Sequence, residues 1–140
     1  MRLYINRMRS ISREQLKQAV ERREVVLLDA LSPEQFKRSH IPTAMNLPAE
    51  SVSDLAPQLL PDKNAPIVTY CLNFTWKRSE QLARELAAMG YTNVRNYQEG
   101  KQDWFKAGLP LEGDAPHEQP NGFHASTSEA EGKARLKQAS

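Results

Sequence analysis

Two short runs of β-branched and aliphatic residues constrain the fold of this chain more than any other feature. They read "VVLLDA" (Val25 to Ala30) and "APIVTYC" (Ala65 to Cys71). A continuous apolar run of this kind is typical of a strand that is buried on both faces, as the strands of a parallel sheet are. The two runs therefore predict the central strands of a mostly parallel sheet.

Segments with helical patterns surround these two strands. Ser12, followed by Gln15, predicts a capped helix start. The other predicted elements are a short strand over residues 3 to 6, a helix opened by Ser32 and Pro33, a short strand over Ala44 to Leu47, a helix broken or capped near Pro57, a helix over Arg78 to Met89, a strand over Asn93 to Gln98 and a last helix ended by Gly108. Strands that alternate with helices predict an α/β fold with helices on both faces of the sheet. Asp29, at the end of the first strand, is expected to cap the turn that follows it.

The length of 140 residues corresponds to about one domain. The apolar patterns end near Gly113, so we expect the domain to cover residues 1 to 113. From Asp114 onward the chain is rich in small, polar and charged residues, which predicts a disordered tail over residues 114 to 140.

Composition excludes several classes of function. The formal net charge is +2 and the basic residues are scattered, so we expect no nucleic-acid partner. No apolar run approaches the ~20 residues of a membrane span. The first residues, "MRLYINRMRSISR", carry charges where a signal peptide has its apolar centre, so we expect a cytoplasmic protein that does not bind membranes. With one cysteine and three histidines, we expect no disulfide framework, metal or cofactor.

The one cysteine, Cys71, follows the second predicted strand, and ligands of α/β sheets bind beyond the carboxyl ends of strands. A loop that leads into a helix offers amide N–H groups and the positive end of the helix dipole, which favour thiolate over thiol. Lys77 and Arg78 add two positive charges, so an anionic substrate fits this loop. Cysteine is also among the residues most often buried for packing alone. Position and neighbours therefore leave a nucleophile and a structural cysteine both open.

Two ordered segments resemble the signatures of the rhodanese family, over about residues 10 to 113. The first is "VVLLDALSPEQFKRSHIPTAMNLP", in which the matching residues are His40, Ile41, Pro42, Ala44, Asn46 and Pro48. The second begins with "PIVTYC" and continues to the matching residues Gly90, Tyr91, Asn93, Val94, Gly100, Trp104, Gly108, Leu109 and Pro110. The resemblance implies a rhodanese-like three-layer α/β/α fold around a mostly parallel central sheet.

The resemblance also implies sulfur transfer. Cys71 would be the catalytic nucleophile and would carry sulfane sulfur as a persulfide, from thiosulfate or a persulfide donor to a thiol or cyanide acceptor. The residues that would bind the donor are those of the loop, namely Leu72, Asn73, Phe74, Thr75, Trp76, Lys77 and Arg78. The implied partners are a small anionic sulfur donor and either a thiol acceptor or a protein.

The loop departs from the usual family pattern. If Ser79 is the small residue that opens the next helix, the loop is two residues longer than usual and resembles a bacterial branch with the pattern "CxNxxCxxS". Asn73 and Ser79 match that pattern, whereas Trp76 stands in place of its second cysteine. Lys77 occupies the arginine position of the related phosphatases and arsenate reductases, which disfavours phosphate chemistry. The altered loop and Trp76 favour the alternative function, a non-catalytic rhodanese-like module that binds a protein.

Overall fold

The structure is a computed structural model that describes residues 8–121, so the short strand expected over residues 3 to 6 lies outside it. At its centre is a sheet of four strands in the order β2-β1-β3-β4, and every pairing is parallel. The strands are β1 (Val26–Asp29), β2 (Met45–Asn46), β3 (Ile67–Tyr70) and β4 (Val94–Tyr97). The predicted parallel sheet is confirmed, with both apolar runs at its centre.

The register of the strands brings their carboxyl ends together. Asp29 of β1 is paired with Tyr70 of β3, and Tyr70 is paired with Tyr97 of β4. The loop after β3 therefore leaves the middle of the sheet, flanked by the chain that follows β1 and β4. This is the edge of a parallel sheet at which ligands bind.

Five α-helices pack around the sheet in the described residues: α1 (Arg13–Glu21), α2 (Pro33–Arg38), α3 (Val52–Leu59), α4 (Arg78–Ala88) and α5 (Gly100–Lys106). Ser12 and Ser32 each begin a helix with a reciprocal capping box, in which the side chain of the third helical residue bonds back to the serine N–H. The α3 helix continues through Pro57 and ends at Leu59, so the proline does not break it. Burial of Val52 and Ala56 holds this helix against the core.

Two apolar clusters lie on the two faces of the sheet. Neighbouring strand residues point to opposite faces, so Leu28 packs in one cluster and Leu27 in the other. The first cluster includes residues of α3 and α4, among them Ala56, Leu82 and Leu86. The second includes Leu16 of α1 and Trp104 of α5. The predicted three-layer α/β/α arrangement is thus confirmed.

The chain continues along the domain beyond the expected boundary at residue 113. The Asp114 N–H donates a hydrogen bond to the Lys37 carbonyl, and the Ala115 N–H donates to the Arg38 carbonyl, at the end of α2. The tail expected from residue 114 stays a prediction, and its residues 122–140 lie outside the described chain. Within residues 8–121, no helix is long and apolar enough to cross a membrane.

Candidate active site

Cys71 directly follows β3, and its side chain lies at the start of α4. Its Sγ atom is 3.2 Å from the Ser79 hydroxyl and 3.4 Å from the Trp76 carbonyl oxygen. The thiol can donate its hydrogen to that carbonyl, while the Ser79 hydroxyl can donate to the sulfur. Cys71 is 2% exposed, so the loop covers the sulfur in this conformation.

The N-terminus of α4 supplies positive polarity beside this sulfur. Ser79 is the second residue of α4, and Lys77, at the N-cap position, makes no side-chain capping bond. The amide N–H groups of a first helical turn have no partners inside the helix, and the helix dipole is positive at this end. An anion on Cys71 Sγ therefore lies in a favourable field.

Asn73 organises the Cys71 loop, which we define as residues 72–77. Its Oδ1 atom accepts hydrogen bonds from the Thr75 N–H at 3.0 Å and from the Thr75 hydroxyl at 2.6 Å. Its carbonyl accepts from the Trp76 N–H at 3.1 Å. Short-range bonds of this kind make a tight turn. The N–H groups of Thr75 and Trp76, two of the loop residues expected to bind a sulfur donor, therefore have acceptors inside the loop.

The start of α5 supports the base of this loop. The Lys101 N–H donates to the Cys71 carbonyl at 2.8 Å, and the Gln102 N–H donates to the Leu72 carbonyl at 2.9 Å. Gly100 makes this approach possible, because a Cβ atom at that position would lie 2.5 Å from the carbonyl carbon and oxygen of Leu72. Its φ of +79° is also a conformation that glycine adopts without strain.

The other predicted loop residues lie in different surroundings. Leu72 is buried in the core, whereas Phe74 is 61% exposed. The Arg78 guanidinium lies over the Trp76 ring, 5.8 Å from its centre, and Lys77 Nζ is 3.9 Å from a carboxylate oxygen of Glu80. Lys77 and Arg78 are both exposed, at the end of the loop and at the start of α4. Glu80 and Trp76, respectively, are the neighbours that orient them.

Beside the loop, a buried carboxyl group joins three segments of the chain. Asp29 Oδ1 accepts from the Leu31 N–H at 2.8 Å, as expected for a turn cap, and Oδ2 accepts from the Tyr70 hydroxyl at 2.8 Å. The Tyr70 oxygen in turn accepts from the Ile41 N–H at 3.0 Å. Burial raises the pKa of Asp29, against the opposing effect of the Lys101 charge. Burial also raises the pKa of the Tyr70 hydroxyl. This network orders the chain after β1 and β3.

Lys101 is the buried cation near this network. It is 2% exposed, and its Nζ atom donates to the Ser39 carbonyl at 2.7 Å and to the Gln35 carbonyl at 3.3 Å. Burial lowers the pKa of Lys101, since the charged form is separated from water. The side chain thus ties α5 to the end of α2, while its backbone N–H holds Cys71.

The Rhodanese-like domain family model matches residues 12–107. The chain belongs to the rhodanese family. The match covers every helix and strand described above and leaves residues 8–11 and 108–121 outside it.

Curated relatives of this rhodanese-like domain carry different names. An HTH-type transcriptional regulator of Mycobacterium tuberculosis is 31% identical over 107 residues, which are 76% of this chain and 46% of that protein. The thiosulfate sulfurtransferase PspE of Escherichia coli is 35% identical over 69 residues, which are 49% of this chain and 64% of that protein. The chain thus spans about half to two thirds of the length of these relatives.

The fold is also that of a solved structure. A protein from Bacillus halodurans superposes with a TM-score of 0.75 at 22% identity, over 84% of this chain and 85% of that one. At this identity the similarity concerns the fold.

Three residues of the site were not among those predicted from the sequence. Ser79 was identified as the small residue that opens α4, but its position beside Cys71 followed from no local pattern. Gly100 was named only as a matching residue of the second signature, and its contact with Leu72 depends on the packing of α5. Gln102 carried no signal in the sequence, although its side-chain Oε1 accepts from Asn73 Nδ2 at 2.9 Å.

Proposed function

We propose that this rhodanese-like domain is a sulfurtransferase that carries sulfane sulfur as a persulfide on Cys71. The observation that carries the proposal is the position of Cys71 Sγ, 3.2 Å from the Ser79 hydroxyl at the uncapped start of α4. Relatives named thiosulfate sulfurtransferase, such as that of Escherichia coli, support it. Small anionic donors such as thiosulfate and thiol acceptors are the partners that follow from this chemistry.

The first half-reaction loads sulfur onto the protein. The Cys71 thiolate attacks the outer sulfur of thiosulfate, a new S–S bond forms, and the original S–S bond breaks. Sulfite leaves with the electron pair of that bond, and the thiolate becomes a persulfide anion. The Ser79 hydroxyl and the N-terminus of α4 would stabilise the negative charge on Sγ in the thiolate, before the charge passes to the outer sulfur of the persulfide.

The second half-reaction returns Cys71 to its starting state. A thiolate or cyanide ion attacks the outer sulfur of the persulfide, and the S–S bond to Cys71 breaks. The products are a new persulfide or thiocyanate, together with the Cys71 thiolate. Lys77 and Arg78 attract the anionic donors and acceptors to this side of the domain.

Access to the sulfur requires a change in the loop. Because Cys71 is 2% exposed, the Cys71 loop has to move for a donor to reach Sγ. Phe74, Thr75 and Lys77 are exposed, so the outer part of the loop can shift without uncovering the core. Loop motions of this kind accompany substrate binding in many enzymes.

Steady-state assays test this function. Purified full chain is mixed with thiosulfate and cyanide, and the thiocyanate formed is measured. The expected result is turnover that disappears in Cys71→Ser, which retains the size of the side chain but is a far poorer sulfur nucleophile. Thiocyanate formation at the same rate in both proteins would contradict the proposal.

One observation favours a second function, a module that binds a protein. Among the described residues, Phe74 and Leu55 are the exposed large apolar side chains, and Phe74 lies on the loop that covers Cys71. An exposed aromatic ring on a loop is a common anchor in protein recognition. A non-catalytic module predicts that thiocyanate formation by the wild-type chain equals that of Cys71→Ser.

A further inference from the structure

We propose that Gln102 is a positioning residue for the Cys71 loop and that a segment beyond the family domain controls it. This segment, the C-terminal strap, comprises residues 112–121, whereas the family match ends at residue 107. The inference deepens the proposed function, because it names what holds the proposed catalytic loop in place.

The Gln102 amide connects the strap to the loop. Its Oε1 atom accepts from Asn73 Nδ2 at 2.9 Å, and its Nε2 atom donates to the Pro120 carbonyl at 2.8 Å. The backbone N–H of the same residue donates to the Leu72 carbonyl at 2.9 Å. Rotating the amide by half a turn would set donor against donor and acceptor against acceptor, so both partners determine its orientation.

The hydrogen bonds continue from Gln102 to the sulfur. The Asn73 carbonyl accepts a hydrogen bond from the Trp76 N–H. The Trp76 carbonyl oxygen is in turn the acceptor that lies 3.4 Å from Cys71 Sγ. The Asn73 Oδ1 atom also accepts from the N–H of Thr75, the residue before Trp76, so a displacement of the Asn73 side chain changes the position of the group that faces the thiol. Gln102 itself does not touch the sulfur in this chain of contacts and acts through Asn73.

The strap has its own attachment to α2, at a distance from the loop. Besides the bonds of Asp114 and Ala115 to the end of α2, the N–H and carbonyl of Glu112 pair with those of His40. Gly113 lies so close to α2 that a Cβ atom would be 2.7 Å from the carbonyl oxygens of Lys37 and Arg38. Pro120 is buried, which places its carbonyl against Gln102.

The test is a double-mutant cycle in the full chain with Gln102→Ala and Gly113→Ala. The alanine at position 113 clashes with α2 and displaces the strap, and Gln102→Ala removes the connection to the loop. Gly108→Ala is the matched control, because Gly108 also has a positive φ, +79°, but nothing lies within 4 Å of an added Cβ. Thiosulfate turnover and the rate of Cys71 alkylation by iodoacetamide are measured for each protein.

We expect Gln102→Ala to lower kcat/KM for thiosulfate about tenfold, the effect of one lost hydrogen bond that orients a reacting group. Gly113→Ala lowers it several-fold in the wild-type background and has no further effect in Gln102→Ala. Alkylation of Cys71 becomes faster in both variants, because a loosened loop exposes the sulfur. Gln102→Glu keeps the acceptor for Asn73 and loses the donor to Pro120, so its kcat/KM lies between wild type and Gln102→Ala.

Two results would overturn the inference. One is that the effects of Gln102→Ala and Gly113→Ala on turnover and alkylation add fully in the double variant. The other is that Gly108→Ala changes these rates as much as Gly113→Ala does. If Gly113→Ala does not fold, Arg38→Ala takes its place in the cycle, since it removes the ion pair between Arg38 and Glu118 of the strap. A wild-type chain without turnover contradicts the proposed function. The alkylation rates then still decide whether Gln102 positions the loop, since they need no catalysis.

Discussion

The Ser79 hydroxyl oxygen lies 3.2 Å from Cys71 Sγ, on the first turn of the helix that follows the Cys71 loop. The serine is 1% exposed, and its carbonyl accepts from the Thr69 hydroxyl at 3.0 Å, which ties the start of α4 to β3. A buried hydroxyl in this position can donate to the sulfur whenever the sulfur is negatively charged. The thiolate is such a state, whereas in the persulfide the charge lies on the outer sulfur.

Replacing Ser79 with alanine should therefore slow sulfur transfer. A hydrogen bond to a charged group contributes about 1.5–3 kcal/mol, so Ser79→Ala is expected to lower kcat with thiosulfate about 10- to 100-fold. Ser79→Thr keeps a hydroxyl and should retain more activity than Ser79→Ala. Thermal unfolding of each protein shows whether the fold is intact. A kcat of Ser79→Ala equal to that of wild type would mean that the hydroxyl does not assist the sulfur.

Gly100→Ala should separate α5 from the base of the loop. The added Cβ would meet the Leu72 backbone at 2.5 Å, and alanine is also strained at a φ of +79°. We expect unfolding by urea to show a loss of about 2–4 kcal/mol, the combined effect of backbone strain and steric overlap. Gly108→Ala shares the same φ without the overlap and should lose about 1 kcal/mol. Equal losses in the two variants would argue against the close contact.

The pH dependence of stability should reveal the buried carboxyl of Asp29. Burial raises the pKa of Asp29 in the folded chain above its ordinary value of 3.8, so the folded state holds the proton more tightly than the unfolded state. The stability that this proton contributes is complete below pH 3.8 and is lost as pH rises through the folded pKa. Asp29→Asn cannot ionise and lacks this loss.

The measurement is the free energy of unfolding of wild type and Asp29→Asn, from about pH 3 to about pH 7. Wild-type stability minus that of Asp29→Asn should fall as pH rises through this range. Other carboxylates contribute equally to both proteins and cancel in the difference. A difference that stays constant with pH, or rises, would contradict the raised pKa.

Lys101 should give the opposite trend at alkaline pH. Burial lowers its pKa in the folded chain below the ordinary value of 10.5, so between these two values the unfolded state binds more protons. Wild-type stability should therefore rise relative to that of Lys101→Met as pH increases through this window. The check is denaturant unfolding of both proteins at several alkaline pH values. A wild-type advantage that shrinks with pH would show that the ammonium is not destabilised by burial.

The layout of the fold could be predicted because it depends on local patterns. The apolar runs that became β1 and β3, and the caps at Ser12 and Ser32, are properties of adjacent residues. The position of Cys71 followed from the general rule for parallel strands. Asp29 was expected to cap the chain after β1, and its bond to the Leu31 N–H confirms this.

The contacts that define the site could not be predicted because they join distant segments. Gln102 and Pro120 meet only after α5 and the strap pack together, and neither residue belongs to a pattern. Lys101 lies in a polar sequence, "GKQDW", and its burial depends on carbonyls at the end of α2. The coverage of Cys71 by the Trp76 carbonyl depends on the turn that Asn73 makes, which the spacing of the loop alone did not specify.

The most direct test of a persulfide on Cys71 is the intact mass of the full chain after incubation with thiosulfate. The account predicts a gain of one sulfur atom in wild type, loss of that gain on addition of cyanide, and no gain in Cys71→Ser. An unchanged mass in wild type, or the same gain in Cys71→Ser, would contradict sulfur transfer through this residue.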